Sequence, residues 1–413
     1  MVLGRPVLLG VFMKPLHDIR VVDLSRILAG PWSSQILADM GADVIKVERA
    51  GEGDDTRSWG PPFVAAADGG ELGATYFHCT NRGKRSIAID FNREEDLAVV
   101  RRLIVDADVV IENFKVGALK KFGLDYAAVS ALNPRIVYCS ITGFGQTGPY
   151  AQRPGYDAMI QALGGLMSVT GVPDGEPMKV GVAVVDLFTG VYATTGILAA
   201  LHARTTSGRG AHVDMSLLDV QVGVLANQGA SYLISGEQAP RLGNGHANLA
   251  PYQVFGTSDG HLMIAVGNDG QFGRLCEVLD LAGLAAARLY RHNPDRVQNR
   301  ESLVSALSQK IKGWKKSDLI ERLEAAGVPV GPINTLPEVF ADPQVLARGM
   351  RVDLAAPDVA GGSIAAVRTP IIINGEPCVS TRPAPKLGEH TAEILQSLES
   401  PAGTLKLARA ALG

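Results

Sequence analysis

The chain lacks most of the signatures that announce a chemistry. It has four cysteines in 413 residues, Cys79, Cys139, Cys276 and Cys378, far apart and without a Cys-x-x-Cys spacing. That argues against a zinc ribbon or a disulfide framework and suits a reducing cytoplasm. The eight histidines show no metal-ligand spacing, so no metal is expected. A net charge of −3 leaves no electrostatic footprint for nucleic acid, and any anionic ligand must be met by local arginine or lysine. No Gly-x-Gly-x-x-Gly follows the first strand pattern; the sequence there reads Ser25-Arg-Ile-Leu-Ala-Gly-Pro31. A dinucleotide cofactor is therefore weakly supported, and no permanently bound cofactor is expected. There is no Gly-x-Ser-x-Gly elbow. Only the run after Asp186 approaches the ~18 apolar residues of a membrane span. Its glycines, threonines and alanines read as a buried core helix, so no membrane is expected. Residues 1–17 carry a short apolar run without a small-residue cleavage site and read as a leader or start-site extension beginning at Met1 or Met13.

Hydrophobic content of 46% and charged content of 20% are those of an ordinary soluble enzyme. The length predicts two domains. In the first half, apolar β-branched runs alternate with helical periodicity. Strand patterns lie at Ile19–Leu24, Asp43–Glu48, Asp108–Glu112 and Arg135–Ile141, and helix patterns at Pro31–Met40, Glu94–Val105 and Tyr126–Leu132. This rhythm predicts an α/β fold, a Rossmann-like parallel sheet with helices on both faces. A helix is expected over Leu217–Leu233, and hairpin strands flank Ser258-Asp-Gly260. The expected organisation is a large domain over 18–210, a linker with a glycine-rich loop over 211–250, a smaller α+β domain over 251–335, and a return segment over 336–413 that completes the large domain.

One carboxylate stands in unusual company. Asp186 is surrounded by small and apolar residues in Val182-Ala-Val-Val-Asp-Leu-Phe-Thr-Gly190, and helical periodicity follows it. At the start of a buried helix it is either an N-cap or a reagent. The local residues favour the cap.

Other segments carry a resemblance. Val22-Asp-Leu-Ser-Arg-Ile-Leu-Ala-Gly-Pro31, Gly41-Ala-Asp-Val-Ile-Lys-Val-Glu-Arg49, Asn81-Arg-Gly-Lys-Arg-Ser-Ile87, Glu112-Asn-Phe114, Ser140-Ile-Thr-Gly-Phe-Gly-Gln146 and Leu387-Gly-Glu-His-Thr391 resemble, in order, the class III CoA-transferases (CaiB/BaiF, formyl-CoA transferase-like). The resemblance runs from about residue 18 to 398. It implies two domains per chain and an interlocked homodimer. It implies that Asp186 is the nucleophile, passing through an aspartyl anhydride and an aspartyl-CoA thioester, with acyl-CoA and a small carboxylic acid as substrates. By position it implies a CoA site at Arg49, Ile89, Asn113, Phe114, Ala118 and Lys121. It also implies a closable loop at Gly243, Asn244, Gly245 and His246, whose N–H groups would stabilise an oxyanion.

Gly53-Asp-Asp-Thr-Arg-Ser-Trp59, Pro251-Tyr-Gln-Val-Phe255, Gly331-Pro-Ile-Asn334 and Phe340-Ala-Asp-Pro-Gln-Val-Leu346 are similar to one branch, the succinyl-CoA:glutarate CoA-transferases and their dicarboxylate-using relatives. This implies a succinyl-CoA donor and a C4–C6 dicarboxylate acceptor. The second carboxylate needs a cation, for which Arg57, Arg153 and Arg26 are candidates. Arg57 is favoured because Trp59 beside it matches a gating position. Leu28 and Pro154 replace the Gln and Lys of the oxalate-using branch, which makes a small, very polar substrate less suitable. The α-methylacyl-CoA racemases of the same superfamily pair an Asp with a His; Tyr156 occupies the His position here. A phenol of pKa ~10 is a poor substitute for imidazole. A non-catalytic acyl-CoA binder would have no use for a desolvated carboxylate beside a thioester.

Overall fold

The computed structural model describes residues 14–399. Most of the expected leader, and the tail beyond residue 399, lie outside the described residues. In chain order the elements include β1 (Arg20–Asp23), α1 (Ala29–Asp39), β2 (Asp43–Arg49), β3 (Phe63–Ala65), β4 (Glu71–Ala74), α2 (Thr75–His78), β5 (Arg85–Ile89), α3 (Glu94–Val105), β6 (Val109–Glu112), α4 (Tyr126–Leu132) and β7 (Val137–Thr142). There follow α5 (Asp157–Leu163), α6 (Leu166–Val169), α7 (Val184–Ser207), β8 (Ala211–Ser216), α8 (Leu217–Gly223), α9 (Ala226–Ser235), β9 (Tyr252–Thr257), β10 (Gly260–Ala265), α10 (Asp269–Val278) and β11 (Val330–Pro332). The chain divides into two compact units. One runs up to Gly164 and adds Gly181–Val224 and the segment from Gln344; the other holds Gly165–Val180 and Leu225–Pro343.

The first unit is built on a six-stranded sheet in the order β5-β2-β1-β6-β7-β8, with every neighbouring pair parallel. Val21, Val22, Val109, Val110, Ile111 and Val137 are buried along it, the near-continuous apolar pattern of strands covered on both faces. On one face α3 buries Leu97, Val100, Leu103 and Ile104 at helical spacing, and Ile394 of the C-terminal helix joins the same cluster. On the other face α1 and α7 share a core that includes Leu37, Ala193 and Ile197. Small residues bring these two helices together. A Cβ on Gly190 would lie 2.7 Å from the Ala29 carbonyl oxygen, and Thr194 Oγ1 meets Ser33 Oγ at 3.0 Å.

Two expectations need correction. The helix after Asp186 is not buried all round: Phe188, Val191 and Tyr192 on its other face are exposed. Its apolar composition reflects two apolar faces, only one of which packs on α1 and the sheet. The helix expected over Leu217–Leu233 is two helices, α8 and α9, separated at Val224–Leu225. Ala226 adopts φ 46° there, which ends the α8 trajectory where the chain passes from one unit to the other.

The second unit carries the antiparallel sheet β11-β10-β9. Phe255, Leu262, Ile264, Phe272, Leu275, Leu303, Leu307, Leu319 and Leu323 form its core. Buried Arg296 ties it together by donating to the carbonyls of Ala250 (2.7 Å) and Tyr290 (3.1 Å) and pairing with Asp269.

Candidate active site

In a parallel sheet whose connections reverse direction, a crevice opens at the carboxyl ends of the strands where the order switches. Here the switch lies between β1 and β6. A cavity of about 410 Å³ sits there. Its walls are the segment after β1 (Arg26 to Ala29), the turn after β6 (Asn113 to Ala118), the end of β7, the loop leading to Tyr156, Leu217 after β8, and Asp186.

Asp186 is not the cap of its helix. α7 begins two residues earlier, at Val184, and its N-cap, Ala183, supplies no side-chain bond. Asp157, from the start of α5, does the capping across the gap. Its Oδ1 accepts the N–H groups of Val185 (2.8 Å) and Asp186 (3.3 Å), and its Oδ2 accepts from Gln161 Nε2 (2.6 Å). The Asp186 carboxylate is left without an ion pair or side-chain hydrogen bond among the described residues. Burial, and secondarily the Asp157 charge, push its pKa up to about 7. A carboxylate with no partner, poised near neutrality and open to a cavity, has the character of a nucleophile or base. Burial and then Asp186 push the Tyr76 phenol up to about 12, and Trp59 packs edge-on against that ring at 5.3 Å. Trp59 is thus linked to the surroundings of Asp186 through Tyr76.

The segment after β1 is held under strain. Ile27 has φ 69°, a conformation that costs a β-branched residue on the order of 1–3 kcal/mol. Its backbone is pinned on both sides. The Asn113 side chain accepts from the Arg26 N–H (2.9 Å) and donates to the Arg26 carbonyl (2.7 Å). Both carboxylate oxygens of Asp54 accept from the Ile27 N–H at 3.2 Å. Asp54 in turn receives Lys46 Nζ at 2.9 Å and Thr56. Burial opposes its charge, but Lys46 and these hydrogen bonds outweigh burial and hold its pKa down to about 2. Beneath lies the Asp23–Lys84 pair at 3.0 Å, with both side chains fully buried. Glu112 fixes the opposite wall by accepting the Phe114 N–H at 2.8 Å; burial pushes its carboxyl up to about 7.

Eight sequence-predicted residues meet at this cavity: Arg26, Leu28, Asn113, Phe114, Ala118, Arg153, Tyr156 and Asp186. Tyr156 is 61% exposed. The others do not line it. Arg49 lies on the surface, paired with Glu52 at 2.9 Å. Lys121 sits over the Phe122 ring at 4.6 Å. Ile89 is a core residue, 4% exposed, because its strand face turns into the cluster under α3; it has no free surface for a base. Arg57 is not an available cation. Its Nε and Nη2 make a bidentate pair with Glu48 (2.8 and 2.7 Å), Nη2 also donates to the Pro385 carbonyl, and the guanidinium lies over Phe77.

The glycine-rich loop belongs to the second unit and is not a free linker. The Gly243, Gly245 and His246 N–H groups donate to the Gly171, Leu242 and Tyr252 carbonyls. Arg300 Nη2 donates to the His246 and Ala247 carbonyls. Those three N–H groups are therefore already committed, which removes them from the expected oxyanion role in this conformation. Sequence reasoning missed Tyr76 as a neighbour of Asp186 and did not foresee that Asp157 caps α7. An Asp at a helix start signals a cap for its own helix, and nothing in one sequence says that it reaches another.

A profile of CoA-transferase family III matches residues 16–391. A succinate–glutarate CoA-transferase of Agrobacterium fabrum is 56% identical over 386 residues, covering 94% of this chain and 96% of the relative. The succinyl-CoA:glutarate CoA-transferase of Homo sapiens is 41% identical over 395 residues, covering 96% and 88%. The crystal structure of a CaiB/BaiF family protein from Brucella suis superimposes with a TM-score of 0.83 at 52% identity, covering 94% of this chain and 100% of that one. With the expected motifs in order, the sheet of the first unit and a matching profile over nearly the whole length, this chain belongs to CoA-transferase family III and is a CoA-transferase.

Proposed function

We propose that this enzyme moves CoA from succinyl-CoA to glutarate or a closely related dicarboxylate, with Asp186 as the nucleophile. The observation that carries this reading is the Asp186 carboxylate, unpaired and aimed into the switch-point cavity while another residue caps its helix. The names of the relatives support the substrates. Asp186 attacks the thioester carbonyl of the donor, forming a mixed anhydride and releasing CoA thiolate. The thiolate attacks the aspartyl carbonyl, giving the Asp186–CoA thioester and free succinate. The acceptor carboxylate then attacks that thioester and expels the thiolate. The thiolate takes the acyl group from the new anhydride, and Asp186 is regenerated. Such intermediates hydrolyse, so water must be kept out during the cycle. Asn113, Phe114 and Ala118 border the cavity on the side assigned to CoA; Arg49 and Lys121 would act on the exposed nucleotide end, outside the cavity itself. CoA enters as substrate, and the cycle uses no resident cofactor.

The working form is an interlocked homodimer in the cytoplasm. The exposed apolar residues of α7, with Met159 and Leu163 of α5, support a partner surface, and the free thiol of exposed Cys79 suits a reducing compartment. The test is incubation of the purified chain with succinyl-CoA and a panel of dicarboxylates, following new acyl-CoA by mass, with Asp186→Ala in parallel. Transfer to glutarate that disappears in the variant is expected. Undiminished transfer by the variant would remove Asp186 from the mechanism.

A further inference from the structure

Three cations border the Asp186 cavity: Arg26, Lys115 and Arg153. Arg26 is paired with Asp55 at 2.9 Å. Arg153 makes no ion pair and no side-chain hydrogen bond among the described residues, yet it is not a loose surface cation. Its guanidinium carbon lies 3.8 Å from the centre of the Tyr150 ring, and its N–H donates to the Tyr150 carbonyl at 2.8 Å. Tyr150 itself packs edge-on against Phe144 at 5.6 Å, and Phe144 packs against the core under α1. The guanidinium is therefore mounted on an aromatic stack that reaches into the fold.

The loop that carries it is also fixed. Gly155 passes so close to Gly143, at the end of β7, that a Cβ on Gly143 would lie 2.7 Å from the Gly155 Cα. Two residues further, Asp157 holds the N–H groups of Val185 and Asp186. Lys115, by contrast, stands on the Asn113–Phe114 wall and also lines the neighbouring cavity beside Glu112.

We propose that Arg153, mounted on the Phe144–Tyr150 stack, receives the distal carboxylate of the dicarboxylate while Asp186 reacts with the near end. This rests on the CoA-transfer reading above. Arg57, the choice favoured by sequence, cannot take that role while Glu48 holds it.

The test is a competition. Glutarate and its monomethyl ester, which has the same chain without the distal charge, are offered together at equal concentration with succinyl-CoA. The initial ratio of the two acyl-CoA products, read by mass, is the ratio of their kcat/KM values and does not depend on the donor half of the reaction. The native enzyme should favour glutarate by about 100-fold. Arg153→Gln should reduce that ratio at least tenfold, Arg153→Lys should keep part of it, and Lys115→Gln should leave it unchanged. A ratio in Arg153→Gln within twofold of native, or a loss that follows Lys115→Gln instead, overturns the assignment. Loss of transfer to both acceptors in Arg153→Gln and Arg153→Lys alike would also overturn it, by making Arg153 part of the fold or the chemistry. If the native enzyme transfers CoA to neither acid, it is the functional reading that fails.

Discussion

Asp186 has a pKa of about 7 because burial, and then Asp157, oppose its ionisation. In the proposed cycle attack requires the anion, so the rate of succinate release from succinyl-CoA should rise with pH through about 7 and level off above it. A stopped-time assay between pH 5.5 and 8.5 reads this; a flat profile would mean that the reacting carboxylate is already ionised throughout. The same shift acts on stability. The folded state holds the proton more tightly than the unfolded chain, whose carboxylate titrates near ~3.9. Stability is therefore full below that value and is lost as pH rises through about 7. Asp186→Asn should raise stability at pH 8 by on the order of 1–2 kcal/mol, allowing for solvent screening, and should change little at pH 4; urea titrations at the two pH values check this. Arg57→Leu should behave quite differently from a substrate-pocket change. It strands Glu48, a buried carboxylate held in its charged form by Arg57, Lys46 and Ser86 against the cost of burial. A loss of about 3–5 kcal/mol in unfolding free energy is expected. Unchanged stability with a selective rise in KM for dicarboxylates would restore Arg57 to the substrate site. At this scale the sequence exposed Asp186, since a lone carboxylate in an apolar run is visible in one dimension. It favoured Arg57 without seeing that the side chain is engaged, because the Glu48 that pairs with it sits nine residues earlier on β2 and only the fold joins them.

Elements position the site by close backbone approach. α1 and α7 meet where Gly190 faces the Ala29 carbonyl, and both begin at the cavity. Gly190→Ala gains about 1 kcal/mol of helix propensity but drives a methyl into a backbone oxygen that cannot rotate away. Overpacking of this kind costs about 1–3 kcal/mol. Thermal unfolding should show a net loss, accompanied by a fall in kcat as the two helix starts separate; a higher melting temperature with full activity would contradict this packing account. Strands β1, β2, β6 and β7 and the helices Glu94–Val105 and Tyr126–Leu132 were legible, because apolar β-branched runs and a 3.6-residue period are local signals; β5 (Arg85–Ile89), flanked by the polar Asn81–Lys84 turn, was not. Nor was the break at Val224–Leu225. Gly223 stands just before it but a lone glycine is tolerated inside a helix, and the left-handed backbone falls instead on Ala226, where the chain changes units. The pinning of the Gly243–Asn248 loop was equally hidden, since glycine content reports freedom and not the carbonyls that use it up.

For the whole molecule, the exposed apolar face of α7 predicts association. Light scattering at micromolar concentration should give twice the 43.5 kDa chain mass, and a single-chain mass would leave that face without an occupant. The proposed chemistry is covalent: the chain's own carboxylate would carry CoA. The most direct measurement treats the enzyme with succinyl-CoA in the absence of acceptor, quenches with hydroxylamine and maps the modified peptide by mass. A hydroxamate is expected on Asp186 and nowhere else, absent without donor and absent in Asp186→Ala. A hydroxamate on another residue, or no modification while CoA transfer proceeds at full rate, would rule Asp186 out as the carrier.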